Sequence, residues 1–257
     1  MALIEFKDVK KAFGSKVIYR RLNLQIEQGK AFTILGGSGV GKSVILKMLI
    51  GLLKADSGSI LFDGQEVTTM SRGELARLRQ RIAMLFQGGA LFDSLSVYDN
   101  VAYGLEEHFR REMDRNAVRE RVAWALESVG LPGIEDMQPA DLSGGMRKRV
   151  ALARSIAVQP EVVLYDEPTT GLDPINTARV NQLIMRLKRK LNITSVVVTH
   201  DMKSAFAISD QVAMVHGGEF IFSGTVEELR NCEDPRVRNF IEGHAPEEED
   251  VETLLQA

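Results

Sequence analysis

The residues GGSGVGKS, Gly36 to Ser43, set four glycines beside a lysine and a hydroxyl. Glycines allow a backbone to wrap closely around phosphate oxygens, so that its N–H groups converge on them. Lys42 is then a point charge for the β and γ phosphates, and the Ser43 hydroxyl takes one position on Mg²⁺. Gly36, Gly37, Ser38, Gly39, Val40 and Gly41 form the cradle, in the pattern G-x-x-x-x-G-K-[ST]. A glycine-rich turn with no nucleotide is the bland alternative. The flanking runs, a buried strand before and the apolar helix SVILKMLIGLL after, favour the cradle.

Further chemistry lies in VVLYDEP, Val162 to Pro168. A carboxylate at a strand end completes the metal shell that Ser43 begins, and Asp166 stands there. Glu167 leaves the strand in another direction and is suited to polarising an attacking water. His200 closes ITSVVVTH. Alone it reads as a satisfied structural histidine, but beside the other groups it reads as a donor to the γ-phosphate that keeps water and Glu167 in register. Gln87, after IAMLF, offers its amide to the metal or to that water. In LSGGM, Ser143, Gly144 and Gly145 precede a helix and make a second anion site, although the chain already has a better one. Arg147, Lys148 and Arg149 follow; they either add positive potential for phosphate or form the wet face of that helix.

These groups need a frame. The runs at 30–36, 161–167 and 193–201 are apolar enough to be buried on both faces, as parallel strands covered by helices are. Ligands of such sheets sit beyond the carboxyl ends, so the three endings are expected to converge. IEFKDVKKAF, VIYRRLNLQIEQG and SGSILFDGQEV read as a small antiparallel sheet. Ser71 with Glu74, and Thr225 with Glu228, read as capping boxes that open helices. QVAMVHGGEFIFSG reads as a hairpin about Gly217 and Gly218. Helical patterning dominates from about 88 to 155, and the tail at 244–257 is acidic.

A 257-residue chain with net charge −3 is ordinary for a globular protein and argues against a nucleic-acid partner. Its single cysteine, Cys232, gives no disulfide and no structural zinc site. No apolar run reaches the length of a membrane span, and the start lacks a signal-peptide pattern. The expectation is a cytoplasmic protein.

Together, GGSGVGKS, Gln87, LSGGM, VVLYDEP, GLDP and His200 resemble, in order and spacing, the ATP-binding cassette ATPases. The resemblance implies an α/β fold with a P-loop NTPase (RecA-like) core, an antiparallel β subdomain and an inserted helical subdomain. Residues 1–243 would form the nucleotide-binding domain, with its helical subdomain at about 88–155. ATP and Mg²⁺ are the implied cofactors. In such ATPases LSGGM faces the ATP of a second copy, so Ser143, Gly144 and Gly145 would act in trans in a head-to-tail homodimer. Asp173 of GLDP resembles the residue through which the two sites communicate. Phe13 matches the aromatic that stacks on adenine, or it packs in the core.

FQGGALFDSLSVYDNVAYGL, LSGGMRKRVALARSIA and DPRVRNFIEG resemble the ATPases of Mla and Mce lipid transporters. That likeness implies phospholipid or other lipid transport across the bacterial envelope and a place on the cytoplasmic face of the inner membrane. It implies an integral membrane permease, an MCE-domain lipid-binding protein and, in many such systems, a STAS-domain partner. Phe92, Leu95, Val97, Tyr98 and Tyr103 then line a groove for a permease helix, or else belong to the helical core. Two rivals stand: the ATPase of a polar amino-acid importer, which shares every catalytic residue, and a soluble ATP switch, which normally carries two such domains.

Overall fold

The computed structural model describes residues 2–244, and the acidic stretch from 245 onward lies outside the described residues. A hairpin of β1 (Ala2–Phe13) and β2 (Lys16–Glu27) is joined by β4 (Ser57–Phe62) and β5 (Gln65–Glu66) in an antiparallel sheet ordered β2-β1-β4-β5. The second sheet holds β3 (Ala31–Leu35), β6 (Ile82–Leu85), β7 (Val162–Asp166), β8 (Thr194–Thr199), β9 (Gln211–His216) and β10 (Glu219–Thr225). Its order is β10-β9-β3-β8-β7-β6, parallel except for β10.

Alternation along the central strands divides the core. Val162, Leu164, Val196 and Val198 face one apolar cluster, shared with the antiparallel sheet and with α1 (Lys42–Leu49). Val163, Tyr165 and Val197 face another, packed by α3 (Val97–Phe109), α4 (Arg115–Ser128), α5 (Gly144–Ala157) and α6 (Pro174–Leu191). Side chains of a strand point alternately to its two faces, so covering both faces requires an unbroken apolar run. The runs at 162–165 and 196–198 are such sequences.

A third cluster gathers Leu35, Val212 and Met214 with α7 (Met202–Ile208), α8 (Val226–Arg230) and α9 (Pro235–Glu242). The remaining helix, α2 (Arg72–Arg81), opens on the Ser71–Glu74 capping box, and α8 opens on the Thr225–Glu228 box. Among the described residues no helix is long and apolar enough to cross a membrane.

Register positions the chemistry. Leu35 pairs with Thr199, Val198 with Asp166, and Tyr165 with Leu85. The four strands therefore end nearly level, and Gly36, His200, Glu167 and Gln87 emerge from one edge of the sheet.

Candidate nucleotide site

Between β3 and α1 the chain runs through Gly36 to Gly41. Gly41 has φ 101°, and a Cβ there would stand 2.4 Å from Ile18 Cγ2. Only glycine fits that turn. The buried Lys42 donates from Nζ to the carbonyls of Gly36 and Gly37, 2.8 Å each, and lies 3.4 Å from Glu167 Oε1. Its ammonium thus occupies the centre of the loop.

Ser43 Oγ donates to Asp166 Oδ1 at 2.6 Å, which brings the hydroxyl and the strand-end carboxylate together. Glu167 follows with φ 49°, a conformation uncommon for residues other than glycine, and its N–H is held by Val198 O at 3.0 Å. This left-handed step turns the Glu167 carboxylate away from Asp166 and toward Lys42 and His200. His200 Nδ1 lies 3.0 Å from Glu167 Oε1, while Thr170 and Thr199 donate their hydroxyls to Oε2 at 3.2 and 3.3 Å. Burial pushes the Glu167 carboxyl up, but the His200 contact and the Lys42 charge outweigh it and hold it below the usual range. An ionised carboxylate only accepts, so Nδ1 of His200 carries the proton between them.

Gly37, Lys42, Ser43, Gln87, Glu167 and His200 line one cavity of about 620 Å³, together with Ile18 and Phe240. Another cavity of about 650 Å³ between α6 and α7 gathers none of these groups. Phe13 is not a core residue: it is 47 % exposed, with Lys11 Nζ 5.1 Å from its ring centroid, and it stands outside the lining of the phosphate-loop cavity.

Ser143, Gly144, Gly145 and Asp173 also stand outside that cavity. The exposed Ser143 caps α5 by accepting from Met146 N at 3.3 Å. Asp173 caps α6, accepting from Ile175 N and Asn176 N, and a Cβ on Gly145 would meet Asn176 at 3.4 Å. The two caps form a second group, with Asn176 between them.

The basic run after LSGGM does not share one face. Arg147 is exposed, but Lys148 is buried and donates to the Gln87 carbonyl, because the 3.6-residue period turns it toward the sheet. The apolar run after Gln87 divides too. Val97 is core, whereas Phe92 and Tyr103 are 42 % and 47 % exposed and lie with ring centroids 4.8 Å apart and planes tilted by 43°. The buried Asn100 shapes this loop, donating to Phe92 O, Leu95 O and Ser96 O and accepting from Phe92 N.

Phe240 in the cavity wall and the two threonines on Glu167 escaped sequence reasoning. Thr170 and Thr199 lie within three residues of recognised groups, a signal that was available. Phe240 lies in DPRVRNFIEG, but nothing in that segment points to the cavity; the packing of α9 against α7 and β10 brings it there. Removing it in Phe240→Ala is expected to raise the dissociation constant for ATP about fivefold, the usual worth of one aromatic wall. Titration with a fluorescent ATP analogue checks this.

A phosphate loop on β3, paired strand-end carboxylates on β7 and an inserted helical block define a P-loop nucleoside triphosphatase. The family described as ABC transporter matches residues 19–170, and the chain belongs to that family. It is 44% identical over 243 residues to the intermembrane phospholipid transport system ATP-binding protein MlaF of Haemophilus influenzae, covering 95% of this chain and 91% of that protein. It is 40% identical over 259 residues to a probable ribonucleotide transport ATP-binding protein of Mycobacterium leprae, covering 98% and 74%. A dimeric ATP-binding cassette in a post-hydrolysis state with ADP and Pi superposes with TM-score 0.80 at 30% identity, covering 87% and 98% of the two chains. The chain is the ATP-hydrolysing subunit of a transporter, and these relatives do not favour the amino-acid importer.

Proposed function

We propose that the chain hydrolyses ATP to drive phospholipid transport across the bacterial envelope, from the cytoplasmic face of the inner membrane. The observation that carries the ATPase site is the contact of Glu167 with both His200 and Lys42 at the carboxyl ends of adjacent strands. In this reading Glu167, oriented by its direct contact with His200, takes a proton from a water in the cavity they line. The water oxygen bonds to the γ-phosphorus, and the bridging P–O bond breaks with its electron pair leaving on ADP. Lys42 and the loop N–H groups hold the phosphate oxygens.

Ser43, Asp166 and the Gln87 amide suit Mg²⁺, which favours a carboxylate, substrate phosphates and water over an all-protein cage. The 2.6 Å contact of Ser43 with Asp166 supports that fit, and the described residues hold no cluster of three His, Cys, Asp or Glu that would bind a metal by itself. Bound there, Mg²⁺ neutralises charge on the β and γ phosphates. Phe13 would stack on the adenine in this reading, which its exposure beside Lys11 supports. Ser143, Gly144, Gly145 and Asp173 serve the nucleotide of a second copy, which explains why they stand apart from the chain's own cavity.

The remaining assembly is a membrane permease, an MCE-domain lipid-binding protein and a STAS-domain protein, with residues 1–243 as the nucleotide-binding domain. Lipid is favoured over ribonucleotide as cargo by the higher identity to the phospholipid-transport relative. Purifying the native complex from membranes and identifying its bound small molecules decides between them. Co-purified phospholipid supports the reading; ribonucleotide without lipid overturns it.

The Phe92–Tyr103 pair is the proposed seat of the permease helix. Exposed paired aromatics are typical anchors of such contacts, and a double Phe92→Ala, Tyr103→Ala variant is expected to lose about tenfold or more in permease affinity. ATP affinity should not change. Pull-down of the permease and nucleotide titration read the two quantities separately.

A further inference from the structure

The signature segment and the Gln87 loop are fastened to each other at two points. α5 starts at the Ser143 cap and carries Lys148 about 1.4 turns further on, at a different angle around the axis. Lys148 is 8 % exposed, and its Nζ donates to the backbone carbonyl of Gln87. Further along the same helix, Arg154 donates through its two terminal nitrogens to Ala90 O and Gly89 O, 2.8 Å each. Between these clamps the loop lies close on the helix, and a Cβ on Gly89 would stand 3.4 Å from Ala151 Cβ. Residues 87–90 therefore ride on α5.

Burying a lysine against one carbonyl is unfavourable unless charge compensates it. Burial lowers the affinity of Lys148 for its proton, and the charges of Asp166 and Glu167 offset this only in part. Lys148 thus reaches the loop of the chain's own site, while Ser143 at the cap of the same helix is exposed.

We infer that Lys148 is a positioning residue that couples the two nucleotide sites of the dimer, by tying Gln87 of one site to the helix that presents Ser143 to the other. The inference rests on the reading of Ser143 as a residue acting in trans. A shift of Gln87 on nucleotide binding moves α5, because the loop and helix share Lys148 and Arg154. The moved helix then presents Ser143 differently to the partner's nucleotide. Coupling of this kind travels through rigid elements and bonded side chains whose equilibrium both sites bias.

The test compares the full-length wild type with Lys148→Met and Lys148→Arg, reading ATP affinity, kcat, the Hill coefficient for ATP and the melting temperature. Met keeps the apolar stem as far as Cε but cannot donate; Arg keeps charge and donors. Lys148→Met is expected to lower kcat about tenfold and bring the Hill coefficient to about one, with ATP affinity unchanged within about twofold. Lys148→Arg should recover most of both. Unchanged kcat and Hill coefficient in Lys148→Met overturn the inference. So does a loss shared with ATP affinity and melting temperature that Arg does not recover, since that marks a packing role. A wild type with no cooperativity in ATP would instead undermine the trans reading of Ser143.

Discussion

Glu167→Gln is expected to retain ATP and to hydrolyse it slower by about two to four orders of magnitude, the usual contribution of a positioned base. The amide keeps the size and left-handed backbone of Glu167 but cannot take the proton of the attacking water. It also removes a negative charge beside Lys42 and the γ-phosphate, so binding should hold or tighten. Phosphate release and nucleotide titration separate the two effects, and dimer capture by ATP on size exclusion adds a third reading. Near-normal turnover would remove Glu167 from the chemistry. The pH dependence follows from the same contacts. With its carboxyl held below the ordinary range, the folded protein keeps Glu167 ionised down to unusually low pH. A lowered folded value also means a contribution to stability that is present above the unfolded value and is lost as pH falls through the folded one. The acid limb of the ATPase profile should therefore lie below the ordinary glutamate range.

Lys42→Ala acts one step earlier, on binding itself. Losing a buried, charge-assisted contact to a phosphate costs about 2–5 kcal/mol, so ATP affinity should fall by about 30-fold to over 1,000-fold. The substitution also leaves the carbonyls of Gly36 and Gly37 without their donor and Glu167 without its nearest cation, so a modest loss of melting temperature should accompany it. Fluorescence titration with an ATP analogue measures the main effect. Unchanged affinity would mean that the loop holds something other than a triphosphate.

How much of this was legible in the sequence depends on how local each signal is. GGSGVGKS is contiguous and flanked by a strand and a helix, so its chemistry can be read in place. Both capping boxes and the antiparallel sheet follow from short-range pattern, and they form as expected. The lateral order of the parallel strands is not local. The hairpin about Gly217 and Gly218 is plain from its turn, yet nothing in it says that β9 lies beside β3, with Thr33 opposite Val212. Lys148 could not be told from its neighbours for a related reason: a charged triplet on a helix suggests solvent, and only the sheet beneath α5 shows which of the three turns inward. Phe240 lies furthest from legibility, because it lines the same cavity as the phosphate loop from about two hundred residues further along the chain. The path after Gln87 was readable as a set of apolar residues, but the assignment of Val97 to the interior and Phe92 to the outside needed Asn100, whose four bonds shape the loop.

The left-handed backbone at Glu167 sets two pressures on the gene against each other. Glycine would adopt that φ without steric penalty, so a glycine codon there relieves conformational strain while discarding the carboxylate. That relief is set against the stability the ionised carboxylate itself contributes through His200 and Lys42, so selection for heat tolerance gives glycine no clear advantage here. Any programme to harden the protein must hold this codon fixed and seek its gains elsewhere.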